Sequence, residues 1–178
     1  MESRTRNCFL SYHHDYDQGY VDELRARCGR MRISDYSLKD DVSYLTEDTI
    51  YKMVRERMYL CSITIVLIGP KTGHRKWVDW ELWSSLRAYK NHIDPKRSFK
   101  PNGLLAIFLP TKHHSVPPRL KDNIDSGYAV TMHWNEVKRH LNERLATAYQ
   151  NRTEKSDLIN NSHPLLERDY INFLGLKV

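Results

Sequence analysis

Short uninterrupted apolar runs alternate along this chain with longer segments whose apolar residues recur every three or four positions. Runs of the first kind suit strands buried on both faces, and segments of the second kind suit amphipathic helices. Residues 7–12 read as a first strand, and residues 17–28 as a helix that exposes Asp22, Glu23, Arg25 and Arg27 and ends at Gly29. Residues 31–36 form a second strand, followed by the polar loop SLKDD. A helix then starts at Ser43 or Thr46 and runs through Met58 on a stripe of Ile50, Met53, Val54 and Met58. The third strand, residues 62–68, is β-branched and aliphatic, and Gly69-Pro70 closes it. Beyond a polar, basic loop at 71–76, a helix begins at Trp77 and carries Val78, Leu82, Ser85 and Tyr89 as its core stripe.

The second half is less regular. Residues 92–102, with Pro95 and Pro101, connect to a fourth apolar strand at 103–109. Residues 110–125 hold too much proline, histidine and charge to form a regular element, whereas 128–133 suit a short strand at the sheet edge. Asn135 is placed to cap a helix through Ala148. A polar stretch at 150–163 leads to a last apolar element at 165–176, which docks on the domain. This alternation of strand and helix predicts an α/β fold: a doubly wound, flavodoxin-like parallel sheet of about five strands flanked by helices. Residues 1–149 form the domain, and residues 150–178 form a polar connector with a C-terminal helix.

The 178 residues suffice for one domain with a substantial core. No apolar run approaches the roughly 20 residues that span a bilayer, and the opening MESRTRNCFLSY lacks a secretory pattern, so the expected location is the cytoplasm. Cys8, Cys28 and Cys61 show no C-x-x-C spacing and read as reduced, buried thiols. The net charge of +6 favours an anionic partner. Its cations are scattered, and no basic arm, zinc finger or RNA-binding signature accompanies them, so nucleic acid is a minority reading.

Candidate chemistry concentrates in SITIVLIGPKTGHRKWVDWE, residues 62–81, which joins a buried strand, a loop over the carboxyl edge and a helix bearing a carboxylate. Trp77 and Glu81, four residues apart, stack on one helix flank with Ser85. An aromatic plate beside an anion suits a cationic ring such as a sugar-linked pyridinium. By spacing alone, Glu81 reads first as a solvated helix residue and Trp77 as a packing residue. If the carboxyl ends of the first and third strands adjoin, Ser11, Tyr12 and His13 approach Glu81.

FLSYHHDYD at 9–17 resembles the opening strand of TIR domains, and SITIVLIGPKTGHRKWVDWEL resembles their third strand and following helix. The resemblance covers residues 7–135 and is more specific to the TIR-like proteins of bacterial Thoeris antiphage defence, the ThsB group. TIR enzymes carry a W-C-x-x-E motif whose glutamate is required for cleaving NAD. Trp77-Val78-Asp79-Trp80-Glu81 keeps that spacing, with Val78 in place of the cysteine. The resemblance implies an NAD-consuming enzyme that makes an ADP-ribose-derived signal, cyclic or conjugated, for a separate effector during phage infection. It also implies a phage-derived trigger or self-association. NAD enters as substrate, with no bound cofactor and no metal. Glu81 is the expected stabiliser of an oxocarbenium-like transition state, and Trp77 bounds the pocket. Tyr12 and His13 contact the leaving ring or orient the acceptor. Lys39, Arg75 and Lys76 neutralise the diphosphate or are simply solvated. Ser11 either contacts substrate or is a small residue that lets strand and loop pack closely.

Other constellations carry less. His13-His14, His113-His114 and His133 lack recognisable metal-ligand spacing, and Gly69 to His74 lacks the lysine and hydroxyl of a Walker A loop. Trp80 and Trp83 mark either a self-association surface or ordinary packing against the next connector. A noncatalytic module that assembles with other TIR domains or binds a nucleotide is the alternative function. A phosphotransfer receiver is disfavoured, because the third strand ends in Ile68-Gly69 rather than an aspartate acceptor.

Overall fold

The computed structural model describes residues 6–30, 33–35, 46–90 and 98–167. The chain runs through β1 (Arg6–Ser11), α1 (His14–Arg30), β2 (Ile33–Asp35), α2 (Glu47–Tyr59), β3 (Ile63–Ile68) and α3 (Lys76–Ser85). It continues through a small pair, β4 (Tyr89–Lys90) and β5 (Ser98–Phe99), then β6 (Gly103–Phe108), α4 (Pro118–Asp125), β7 (Val130–His133) and α5 (Val137–Glu154). Strands β2-β1-β3-β6-β7 lie side by side, all parallel, while β4 and β5 pair antiparallel apart from this sheet. The result is a doubly wound, flavodoxin-like fold.

Each strand's side-chain parity divides its residues between two helical layers. Cys8, Leu10, Tyr12, Ile65, Leu67, Leu105 and Ile107 pack with Val21 and Leu24 of α1 and Leu141 and Leu145 of α5. On the opposite face, Val66, Ile68, Leu104 and Ala106 pack with Val78 and Leu82 of α3 and Leu120 of α4. Phe9 meets Ile50, Val54 and Met58 of α2. All six residues of β3 are buried, so the central strand contributes on the order of 1.5–3 kcal/mol for each large apolar side chain it removes from water.

Several boundaries differ from those read along the chain. Helix α1 begins at His14, three residues early, and continues through Gly29 to Arg30. Its first turn is polar, so apolar spacing could not mark the start. Tyr89 is not part of the α3 stripe: the helix stops at Ser85, and Tyr89 pairs with Phe99 within the stretch expected to be plain connector. Residues 118–125 are a helix despite their polarity, with Pro118 in the first turn and Arg119, Leu120 and Asn123 fully buried. The fifth main strand closes the sheet edge as expected. Asn135, expected as a cap, lies inside a 3₁₀ turn, Trp134–Glu136, where His133 and Glu136 form the capping box. Helix α5 runs to Glu154, beyond the boundary expected at residue 149. Most of the expected C-terminal element, including any helix there, lies outside the described residues.

Close packing at Gly103 ties α5 to the sheet. A Cβ there would stand 1.9 Å from the Ala148 carbonyl oxygen, so only glycine lets the helix backbone come this near β6. Cys8 and Cys61 are buried, with their sulfurs directed at the Arg6 and Arg57 carbonyls. The Cys28 side chain lies outside the described residues. Among the described residues, no helix is long and apolar enough to cross a membrane.

Candidate active site

The chain leaving β1 turns into α1 on one face of the sheet, while the chain leaving β3 turns into α3 on the other. Because β1 and β3 are adjacent, their carboxyl ends open a crevice between the departing helices, the usual binding position in doubly wound sheets. Ser11 ends β1, level with Val66 of β3, and its side chain points to the α3 face. Its hydroxyl donates a 2.5 Å hydrogen bond to Glu81 Oε2 across 70 residues of sequence. Glu81 is partly buried on α3. Burial pushes its carboxyl up to about 8, against the opposing pull of the Ser11 hydrogen bond.

Beneath Glu81 the helix is anchored by buried polar groups. Ser85 Oγ lies 2.7 Å from both the Glu81 carbonyl oxygen and Thr64 Oγ1, and Asn102 Nδ2 donates to Thr64 at 3.2 Å. This network joins α3 to β3 and to the start of β6, and so fixes the level at which the carboxyl meets Ser11.

The remaining nominated residues separate. His13 shares the Ser11 parity, is buried, and stands edge-on to Tyr16 with ring centres 4.7 Å apart. Tyr12 faces the opposite layer: its ring joins the α1/α5 core, its hydroxyl donates to Gln18 at 3.1 Å, and His14 stacks on it. A strand's period of two sends Tyr12 away from Glu81, and adjacency in sequence could not bring both neighbours of Ser11 to one side. Trp77 is partly buried against the Phe9 cluster, with Trp80 at 5.5 Å. Lys76 is ion-paired with Glu47 and lies over the Trp77 ring, which locks α2 to α3. Arg75 is partly exposed and lies within electrostatic range of His14. Partial burial holds the His14 imidazole below its ordinary value, Asp15 opposes this, and Arg75 and Arg25 add to it. Lys39 lies outside the described residues.

Residues 9–113 match the family described as Thoeris protein ThsB, TIR-like domain. The chain belongs to that family. The match spans more than half of the sequence and contains every nominated site residue, Ser11 through Glu81, together with the whole β1/β3 crevice. Helix α4, strand β7 and helix α5 lie beyond the matched stretch of this ThsB-family protein.

Three further residues at the crevice escaped the sequence reading. Lys71 Nζ donates to the Tyr16 hydroxyl at 2.8 Å, bridging the loop after β3 to the start of α1. Asp17, only 3% exposed, lies against Gly69 at the end of β3. Burial raises its carboxyl above the ordinary aspartate value, and a hydrogen bond from the His13 backbone partly offsets the rise. The available signal was an acid four residues beyond His13, just past a strand's carboxyl end. Helix patterning hid it, because a polar residue in a first turn reads as solvated.

Trp80 and Trp83 pack within the molecule. The Trp80 indole donates to the Leu166 carbonyl at 3.3 Å, Tyr51 stands edge-on to its ring, and Arg87 lies over Trp83. Arg119 pairs with Asp79 at 2.9 Å, both side chains almost fully buried, and also donates to Asn161 and Pro164 carbonyl oxygens. The chain after α5 is thus strapped to the helix that carries Glu81.

Proposed function

We propose that this Thoeris TIR-like protein cleaves the nicotinamide–ribose bond of NAD and converts the ADP-ribosyl group into a cyclic or conjugated signal. That signal activates a separate effector during phage infection. The observation carrying this reading is the Ser11–Glu81 hydrogen bond at the β1/β3 carboxyl edge, which aims a carboxyl with a raised pKa into the expected ligand crevice.

In the reaction, the bond between the ribose C1′ and the pyridinium nitrogen breaks, and nicotinamide leaves as a neutral molecule with the electron pair. Positive charge then develops on the ribose, where an ionised Glu81 stabilises it. A carboxyl at about 8 is mostly protonated at pH 7 in the free protein. A cationic pyridinium brought beside it favours the ionised form, so substrate binding expels a proton from Glu81. Partial exclusion of water strengthens the attraction. Arg75 supplies positive charge for the diphosphate from the rim. Lys76 holds α2 and α3 together, as its pairing with Glu47 indicates.

One observation favours the noncatalytic alternative: Tyr12 and Trp77 are committed to packing, which leaves fewer aromatic surfaces for the nicotinamide ring. Mass spectrometry of NAD products in infected cells expressing wild type or Glu81→Gln separates the two. A product dependent on Glu81 supports signal synthesis, and equal NAD levels with no product in either strain favour the binding module.

A further inference from the structure

We propose that Asp17 is the second acid of this site, the base that accepts the proton of the hydroxyl attacking the ribose carbon. The inference rests on the NAD-cleaving reading above and adds the residue that selects and activates the acceptor.

Three observations converge on Asp17. Its side chain is 3% exposed, and Oδ2 has no hydrogen-bond partner among the described residues. An orphan carboxylate oxygen this deep is costly unless it has a use, since a buried polar atom without a partner forfeits about 1–3 kcal/mol. The carboxyl takes one hydrogen bond from the His13 backbone at the start of α1, and Oδ2 is left over from it. The carboxyl is also pressed against the end of the central strand. A Cβ on Gly69 would lie 2.9 Å from Oδ1 and 3.2 Å from Oδ2, so the glycine is what allows an acid to sit at this edge.

The third observation is topological. Glu81 is carried by α3 on one face of the sheet, and Asp17 by α1 on the other, its carboxyl against Gly69 at the end of β3. Ser11, which holds Glu81, is level with Val66, and Gly69 lies three residues further along. At the rise of a parallel strand this offsets the two levels by about 10 Å along β3. Paired acids on opposite sides of a glycosidic carbon divide the work: one faces the developing cation, and the other takes the proton of the incoming nucleophile. The step balances. The C1′–N bond breaks toward nicotinamide, the acceptor oxygen bonds to C1′, and its proton passes to the Asp17 carboxylate. Burial raises the Asp17 pKa, and a carboxylate shifted that way is the stronger base.

An acceptor approaching Asp17 would have to enter near a bridge between the same segments. Lys71 and Tyr16 connect the same two segments as Gly69 and Asp17, and Tyr16 is 58% exposed. An exposed contact of this kind contributes little, so exchanging the Tyr16 hydroxyl for a substrate oxygen on Lys71 is inexpensive, and the parted bridge admits the acceptor.

The test follows the aspartate and glutamate side-chain carboxyl carbons of ¹³C-labelled full-length protein by NMR, with and without carba-NAD, an analogue whose nicotinamide bond resists cleavage. Product from infected cells expressing Asp17→Asn, Asp15→Asn or Glu81→Gln is measured in parallel. The expected result is that both the Asp17 and Glu81 resonances move on binding. Asp17→Asn should lower product about 100-fold with its melting temperature retained, while Asp15→Asn matches wild type. A Glu81 resonance that moves while Asp17 stays still, or wild-type product from folded Asp17→Asn, overturns the role of Asp17 and leaves NAD cleavage standing. If neither resonance moves and Glu81→Gln forms product normally, the NAD reading fails and this proposal falls with it. Should Asp17→Asn not accumulate as folded protein, the wild-type titration decides alone.

Discussion

The Glu81 carboxyl, once ionised, opposes the stability of its own fold. Folding raises its carboxyl from an ordinary 4.5 to about 8, so across that range the folded state binds a proton that the unfolded state releases. Its contribution to stability is therefore fully present below pH 4.5 and declines as pH rises through about 8. Glu81→Gln keeps the volume and removes the ionisation. It should melt at a higher temperature than wild type above pH 8, by an amount corresponding to about 1–2 kcal/mol after allowance for partial exposure, with the difference vanishing near pH 4. Differential scanning calorimetry at several pH values checks this, and turnover should be lost in the same variant. Ser11→Ala removes the hydrogen bond that lowers the Glu81 pKa. The rise of kcat/KM with pH should then move in the alkaline direction, with activity at pH 7 reduced about 10-fold. An unmoved profile would count against Glu81 as the titrating group.

Among the elements, strands were far easier to read than helix ends. The β3 and β6 runs are apolar at every position because both of their faces are covered, and this leaves a continuous mark in the sequence. Helix α4 left no such mark. Its Arg119 reads as surface charge until Asp79, 40 residues earlier, supplies a buried partner. That pairing gives a sharp prediction: Arg119→Ala strands a buried carboxylate and should cost about 3–5 kcal/mol in urea unfolding, whereas the double change Asp79→Leu with Arg119→Met should recover much of the loss. At β6, Gly103→Ala forces a methyl group into the α5 backbone at Ala148 and should destabilise by about 3 kcal/mol or prevent accumulation of folded protein. Thermal melting of the purified variant measures it.

In the molecule as a whole, the segment after α5 supports α3, the helix that carries Glu81, from outside. Leu166 N–H donates to Asp79 Oδ2 at 3.1 Å, and Asn161 Nδ2 donates to the Trp83 carbonyl at 3.1 Å, so the strap grips α3 on both sides of Glu81. Removing residues 159–178 should therefore lower the melting temperature by roughly 5–10 °C, as expected for the loss of several buried hydrogen bonds from a domain of this size. Binding of carba-NAD should weaken in the truncated protein, measurable by calorimetry, because α3 loses its outer support.

Apolar periodicity was enough to specify a parallel α/β sheet and its central strand, and the strand–loop–helix stretch, through its resemblance to TIR motifs, nominated the acid Glu81. These are properties of local spacing, and the spacing of Trp77 and Glu81 is written in the chain. The partners of that acid were decided by packing. Ser11 meets Glu81 because β1 lies next to β3 in the right register, and Tyr12 does not because strand parity turns it to the other face. Asp17 comes to Gly69 because α1 starts three residues before its apolar pattern does, and Arg119 is buried because Asp79 awaits it. Each of these depends on which segments become neighbours in space, a relation between distant parts of the chain that no local period records.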